Sequence, residues 1–252
     1  MTKMSETFSI YLERRMARIL LLGIISGFPW VLIGSSLSLW LKEDGLSRST
    51  IGWAGLIFSV YAVNFLWAPL IDRIRVPYLT PRLGHRRAWI VTLQALILVC
   101  LGGWSLVDPS ANLWAVIAIG LVIAIASATQ DITIDALRIE QISVGEGRSM
   151  AAGAAIAVVG WWTGYKLGGV VALNTAQAFQ SAGIENYWQI TFLVLGSIVI
   201  ACNIALMFVP EKSPEDRIAG QLEQDNIIAS NLALSGQKGQ VVAWLVGTVV
   251  GP

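Results

Sequence analysis

Three ionisable side chains, Asp131, Asp135 and Lys166, interrupt stretches otherwise built from apolar residues. A charge in hydrocarbon is costly, so each one points to a proton path, an ion contact or a cavity. Asp131 and Asp135 are four residues apart and share a helix face, with Ser127 one turn further in. Burial disfavours an ionised carboxylate, which predicts that Asp131 takes up and releases a proton, with Asp135 as the second candidate. Asp135 lies nearer the end of its stretch, where it can instead reach water or pair with Arg138. Trp162, Tyr165 and Lys166 form an aromatic and cationic face on the side of their helix away from Gly160, Gly164 and Gly168. The glycines at spacing four let another helix backbone come close. The ammonium suits an anionic cargo and the rings can stack on a sugar or a cation, or Lys166 can snorkel to the interface. Tyr61 and Asn64, at i and i+3, are expected either to add hydrogen bonds to the same cavity or, for Asn64, to bond across to another helix. Counted from span centres, Asp131 lies ~9 Å toward one membrane face and Lys166 ~8 Å toward the other, too far apart for an ion pair.

The elements that must hold these groups follow from composition. The chain is 55% hydrophobic and 13% charged, too few polar residues to cover a soluble surface. Six apolar stretches are long enough to cross a bilayer, which takes about 20 residues: Ala17 to Leu41, Ile51 to Ile71, Ala88 to Val107, Leu113 to Leu137, Met150 to Leu173 and Trp188 to Val209. The first is too long for a secretory signal, carries Pro29 in its middle and ends in Trp40 and Lys42 without a cleavage site. The expected fold is an all-α integral membrane bundle of six helices.

Lys and Arg set its orientation. Alternate connections hold Lys3, Arg14, Arg15 and Arg18, then Arg73, Arg75, Arg82, Arg86 and Arg87, then Arg138 and Arg148, then Lys212, Arg217 and Lys238, whereas the opposite side holds only Lys42 and Arg48. Both ends of the bundle are therefore expected in the cytoplasm. Trp40, Trp53, Trp89, Trp104, Trp114 and Trp188 lie near span ends and are expected as interfacial anchors. Residues 1–16 read as a cytoplasmic segment, 17–209 as the bundle, 210–240 as a cytoplasmic linker and 241–252 as the start of a second half, making a missing C-terminal half an expected partner. The balance of 17 Lys and Arg against 16 Asp and Glu suggests no nucleic-acid partner. Cys100 and Cys202 fall inside spans and read as small hydrophobes rather than a disulfide. His85, the sole histidine, is placed in an Arg-rich loop, so a histidine-based zinc site or a Ser-His-Asp triad within the membrane is not expected. Asp131 follows Gln130, without the Tyr-Asp pair of an intramembrane aspartyl protease. No enzyme, metal or cofactor is expected.

Trp67-Ala68-Pro69-Leu70-Ile71-Asp72-Arg73, with Gly84-His85-Arg86-Arg87 after it, resembles the signature between helices two and three of the major facilitator superfamily. Ala68 stands in place of the usual Gly, and Arg75 to Leu83 is an insertion. The resemblance implies that Asp72, Arg73, Arg86 and Arg87 act in gating rather than in cargo binding. Ser127-Ala128-Thr129-Gln130-Asp131-Ile132-Thr133-Ile134-Asp135-Ala136 resembles the fourth-helix motif of AmpG-type muropeptide permeases. Ser26-Gly27-Phe28-Pro29 and Gly164-Tyr165-Lys166-Leu167-Gly168 are similar to the same family, which often has Arg in place of Lys166. This likeness covers about residues 11 to 210. It implies proton-coupled import of N-acetylglucosaminyl-anhydromuramyl peptides across the inner membrane, with Gln130 joining Lys166, Tyr165, Trp162, Asn64 and Tyr61 at the cargo. Acetyl-CoA transporters share much of the fourth-helix motif, and a non-transporting scaffold or pigment-assembly factor of the superfamily is the alternative from another class.

Overall fold

A lone segment in lipid can bond all its own N–H and C=O groups only as a helix, so long apolar stretches become helices. The computed structural model describes residues 9–142 and 146–211. Among the described residues six helices are long and apolar enough to span a membrane: α1 (Arg14–Glu43), α2 (Arg48–Leu66), α3 (His85–Trp104), α4 (Leu113–Glu140), α5 (Gly147–Ser181) and α6 (Tyr187–Leu206). No strand occurs among the described residues. The predicted all-α class and the count of six spans therefore hold. The expected linker beyond residue 211 and the segment 241–252 lie outside the described residues, as do residues 1–8.

Apolarity alone underestimates α5. Its 35 residues reach ~52 Å at about 1.5 Å each, well beyond Met150 to Leu173, because the flanking Ala, Gln and Asn residues continue a helix without being hydrophobic.

The starts of α1, α3 and α5 gather with the ends of α4 and α6 at one end of the bundle, termed basal. There Arg15 bonds Ser149 at 3.1 Å, Arg86 bonds Glu140 at 3.3 Å and the Arg86 backbone N–H bonds Glu211 at 2.7 Å. At the distal end Glu43 accepts from Tyr187 and Trp188.

The glycine ridge performs the predicted close packing, and its partner is α1. A methyl group on Gly160 would fall 2.4 Å from the Leu20 carbonyl, one on Gly164 2.3 Å from that of Ile24, and one on Gly27 2.0 Å from that of Trp161. The two backbones therefore run side by side with no room for a Cβ between them.

Two spans are irregular. In α1 a π-helical stretch, Val31–Ser36, follows Pro29. In α2, 3-10 turns occupy Gly55–Ser59 and Asn64–Leu66, and the helix stops at Trp67 before restarting as Ala68–Arg73. The Pro69 ring would meet the Phe65 carbonyl in a continuous helix, so the stretch to Ile71 is two pieces rather than one span.

Three of the expected tryptophan anchors are core residues instead. Trp40, Trp104 and Trp188 are 2%, 0% and 2% exposed. Trp40 and Trp104 each lie 4.9 Å from Phe192 between ring centroids, and Trp188 lies 5.8 Å from it. Two of the indole N–H groups are hydrogen-bonded: Trp104 donates to the Val116 carbonyl at 3.0 Å and Trp188 to Glu43 at 2.7 Å. Trp53 and Trp114 are largely exposed. His85 also departs from expectation. It opens α3 rather than sitting in a loop, is 5% exposed, and its Nε2 lies 2.9 Å from the Ile71 carbonyl.

Candidate functional site

α4 begins cleanly because the Asn112 side chain caps it, accepting from the Ala115 N–H at 3.1 Å. Its regular course carries Gln130 and Asp131 to the α1 side. Asp131 accepts a hydrogen bond from Ser26 Oγ at 2.6 Å. The carboxylate lines a cavity of about 350 Å³ between α1, α4 and α5, together with Asp135, Arg138 and Trp161. The buried indole N–H of Trp30 closes no hydrogen bond of its own and lies near enough to interact with the Asp131 carboxylate. Asp135 borders the same cavity but behaves differently: its side chain is 66% exposed and accepts from Arg138 Nε at 3.1 Å. One acid is sheltered and bonded to a hydroxyl, and the other is wet and paired with a cation.

The polar groups of α2 and of Trp67, just after it, are engaged with α4. Tyr61 donates to Ser127 Oγ at 2.6 Å, Asn64 to the Ala128 carbonyl at 3.4 Å, and Trp67 to Thr129 Oγ1 at 3.0 Å. For Asn64 the cross-helix bond is the arrangement observed. Gln130, expected beside the cargo, is 0% exposed and donates to the Ile25 carbonyl at 3.1 Å, which places it between α4 and α1.

On α5 the Lys166 Nζ lies 5.6 Å from the Trp162 ring centroid and 5.5 Å from that of Tyr165, within cation–π range. Those rings belong to a larger aromatic wall. Trp161 stacks on Tyr165 at 5.7 Å and meets Trp30 edge-on at 5.3 Å, and Trp30 contacts Phe58 at 5.0 Å and Tyr61 at 4.7 Å. Trp30, Phe58 and Trp161 escape sequence reasoning because they come from three different helices and share no spacing. The glycine-mediated approach of α1 and α5 is what brings Trp30 and Trp161 together.

Asp72, Arg86 and Arg87 of the Asp-Arg and Gly-x-Arg-Arg motif meet at the basal end. Arg86 forms ion pairs with Asp72 and with Glu140. Glu211 accepts from the backbone N–H groups of Arg86 and Arg87 at 2.7 and 3.0 Å, where the positive end of the α3 dipole favours an anion. Gly84 makes room for it: its φ is 95°, and a Cβ there would fall 2.5 Å from Glu211 Oε2. Arg87 itself lies 3.8 Å from Glu211 and Arg15 lies 2.7 Å from Glu146. Glu140 and Glu211 complete a cluster of which the sequence motif names only the Asp and the arginines.

At the distal end a polar cavity of about 370 Å³ is bordered by Glu43, Asp44, Asp108, Glu185 and Tyr187. Burial first, and then the nearby Asp108, hold the Asp44 carboxyl above the usual carboxylate range. Hydrogen bonds from the Ser110 hydroxyl and backbone hold Asp108 below it. Among the described residues no group of three or more His, Cys, Asp or Glu is placed to hold a metal ion.

The Major Facilitator Superfamily model matches residues 19–251. The chain is 32% identical over 242 residues to the anhydromuropeptide permease of Escherichia coli (strain K12), a match covering 96% of this chain and 46% of that protein. It is 34% identical over 203 residues to the putative transporter AmpG 4 of Rickettsia conorii, covering 81% of this chain and 47% of the relative. A third relative, the putative transporter AmpG 3 of Rickettsia prowazekii, is 31% identical over 193 residues, 77% of this chain and 45% of its own length. The chain spans about half the length of these curated relatives.

Proposed function

The chain belongs to the Major Facilitator Superfamily, and from that premise we propose that it supplies one wall of a secondary transporter importing N-acetylglucosaminyl-anhydromuramyl peptides with protons. The observation that carries this reading is Asp131, a sheltered acid in a cavity at the α1–α4–α5 junction. Ionised, it accepts from Ser26. Protonated, it is neutral, which lowers the cost of closing the protein around a cargo. Proton loading and the conformational switch are then two readouts of one side chain.

The aromatic wall ending in Lys166 supports the choice of cargo. Sugar rings present C–H faces that pack on tryptophan and tyrosine, and the ammonium pairs with a carboxylate of the muramyl peptide. Lys166, Tyr165, Trp162 and Tyr61 keep their proposed cargo roles, joined by Trp30, Phe58 and Trp161. Gln130 and Asn64 are engaged with backbone carbonyls of neighbouring helices, which supports a role in holding the wall. Asp72, Arg73, Arg86 and Arg87 are proposed to act in gating: the Arg86 pairs clamp the α2, α3 and α4 ends together, and breaking them frees the basal end. The excess of Lys and Arg on that side supports a cytoplasmic basal end and, with it, a place in the inner membrane. A second six-helix half is the proposed partner closing the cavity from the other side.

The test is uptake of labelled anhydromuropeptide by proteoliposomes in which this chain is paired with a second six-helix half. Accumulation under an imposed proton gradient, and its collapse on adding a protonophore, is the expected result. Uptake indifferent to the gradient sinks proton coupling. Uptake of acetyl-CoA with exclusion of the muropeptide moves the chain to a different cargo, and binding with no uptake of either favours a scaffold.

A further inference from the structure

Pro29 has no N–H, so the bond that residue 29 of a regular helix would donate to the Ile25 carbonyl cannot form. Inside a bilayer a carbonyl released in this way needs a donor from elsewhere in the protein. Gln130 Nε2 is 3.1 Å from that oxygen and its side chain is fully buried. One residue further along both helices, Ser26 Oγ donates to Asp131 at 2.6 Å. The two bonds are successive rungs between α1 and α4, set where α1 departs from regular geometry.

We propose that Gln130 is a positioning residue for the proton site: its amide, by taking the carbonyl that Pro29 leaves free, fixes the register of α1 against α4 at which Ser26 reaches Asp131. This deepens the reading of Asp131 as the proton carrier and rests on it. The division of labour has a physical basis. The Ser26–Asp131 rung changes character when the acid gains a proton, whereas an amide does not titrate, so the Gln130 rung holds the helices in register in both states. The other ionisable groups facing Asp131 are Asp135 and Arg138 on α4 and Tyr61 on α2. The residues that α1 and α5 contribute to the cavity, Gly23, Ser26, Ala154, Ala157, Val158 and Trp161, carry no charge.

The proposal is tested on the full chain in lipid nanodiscs by infrared spectroscopy of its carboxyl and carboxylate bands, the Asp131 band being the one that Asp131→Asn removes. Ser26→Ala shifts this band by deleting its hydrogen bond. Gln130→Met keeps the volume but has no donor, and it is expected to produce a shift in the same sense although it leaves Ser26 and Asp131 untouched. Adding Pro29→Ala supplies an N–H for the Ile25 carbonyl, so Pro29→Ala/Gln130→Met is expected to return the band to its wild-type position. A wild-type band in Gln130→Met overturns the proposal, and so does a shift that Pro29→Ala fails to correct. If Gln130→Met alone does not fold, the double variant must fold and carry the wild-type band, and its failure to do so also overturns the proposal. None of these outcomes decides whether Asp131 couples transport. Gradient-driven uptake by Asp131→Asn decides that separately.

Discussion

Ser26 and Asp131 are 105 residues apart in sequence and 2.6 Å apart across the α1–α4 contact. The pair places a titratable group where cavity and helix packing meet. Asp131→Asn imitates the protonated acid, so it is expected to abolish proton-driven accumulation while leaving exchange of cargo across the membrane largely intact. Asp135→Asn is expected to have the smaller effect, because that side chain is exposed and paired with Arg138. Uphill uptake and counterflow, each measured with and without a pH gradient, check both. Accumulation by both variants at the wild-type level excludes the pair from coupling.

Lys166→Met is expected to weaken cargo binding by roughly 10- to 100-fold, since a hydrogen bond to a charged partner contributes about 1.5–3 kcal/mol. Lys166→Arg keeps the charge over Trp162 and Tyr165 and is expected to retain most of the affinity. Quenching of tryptophan fluorescence by muropeptide gives the three dissociation constants. Equal values for wild type and Lys166→Met assign the residue to the lipid interface.

The α1–α5 contact predicts opposite outcomes for two glycines. Gly27→Ala drives a methyl against the Trp161 carbonyl and is expected to cost roughly 2 kcal/mol or more. Gly52→Ala meets nothing within 4 Å and is expected to gain about 0.5–1 kcal/mol from helix propensity. Thermal unfolding in detergent ranks the two. A Gly27→Ala protein as stable as wild type contradicts the close approach of the helices.

The Glu211 side chain is 2% exposed and caps the first turn of α3. Glu211→Ala strips two backbone N–H groups of their acceptor and leaves the Arg87 guanidinium without this carboxylate, a loss on the order of 2 kcal/mol. Glu211→Gln keeps an acceptor and is expected to lose about half as much. Unfolding midpoints of the two variants, compared with Glu185→Ala as an exposed control, check the order.

The distal acids give a pH dependence. The Asp44 carboxyl is held above the usual carboxylate range, so the fold favours its protonated form, and that contribution is lost as pH rises through the folded-state value. Asp44→Asn stays neutral throughout. Its melting temperature relative to wild type is therefore expected to climb as pH is raised through the carboxylate range and then level off. A constant difference from pH 3 to pH 8, estimated as about the span that brackets ordinary carboxylates, contradicts the assignment.

Hydropathy and spacing along the chain determined the six spans, the intramembrane Asp131 and Lys166, and the glycine ridge of α5, because each is written within a few turns of one helix. Pro29 was equally visible, but not that Gln130 would take the carbonyl it frees. What the tertiary structure decided is how each helix is rotated about its axis and which residues it thereby meets. Lipid tails and a membrane-protein core are equally apolar, so an apolar pattern does not distinguish the two faces. Hence Trp40, Trp104 and Trp188 read as interfacial anchors yet form a buried cluster with Phe192. Gln130, placed with the cargo by its motif, turns instead to the Ile25 carbonyl. Pairs such as Ser26 with Asp131 and Glu211 with Arg86 join residues 105 and 125 positions apart. Only the close approach of α1 to α5 and the docking of α4 on α1 determine which side chains line the cavity.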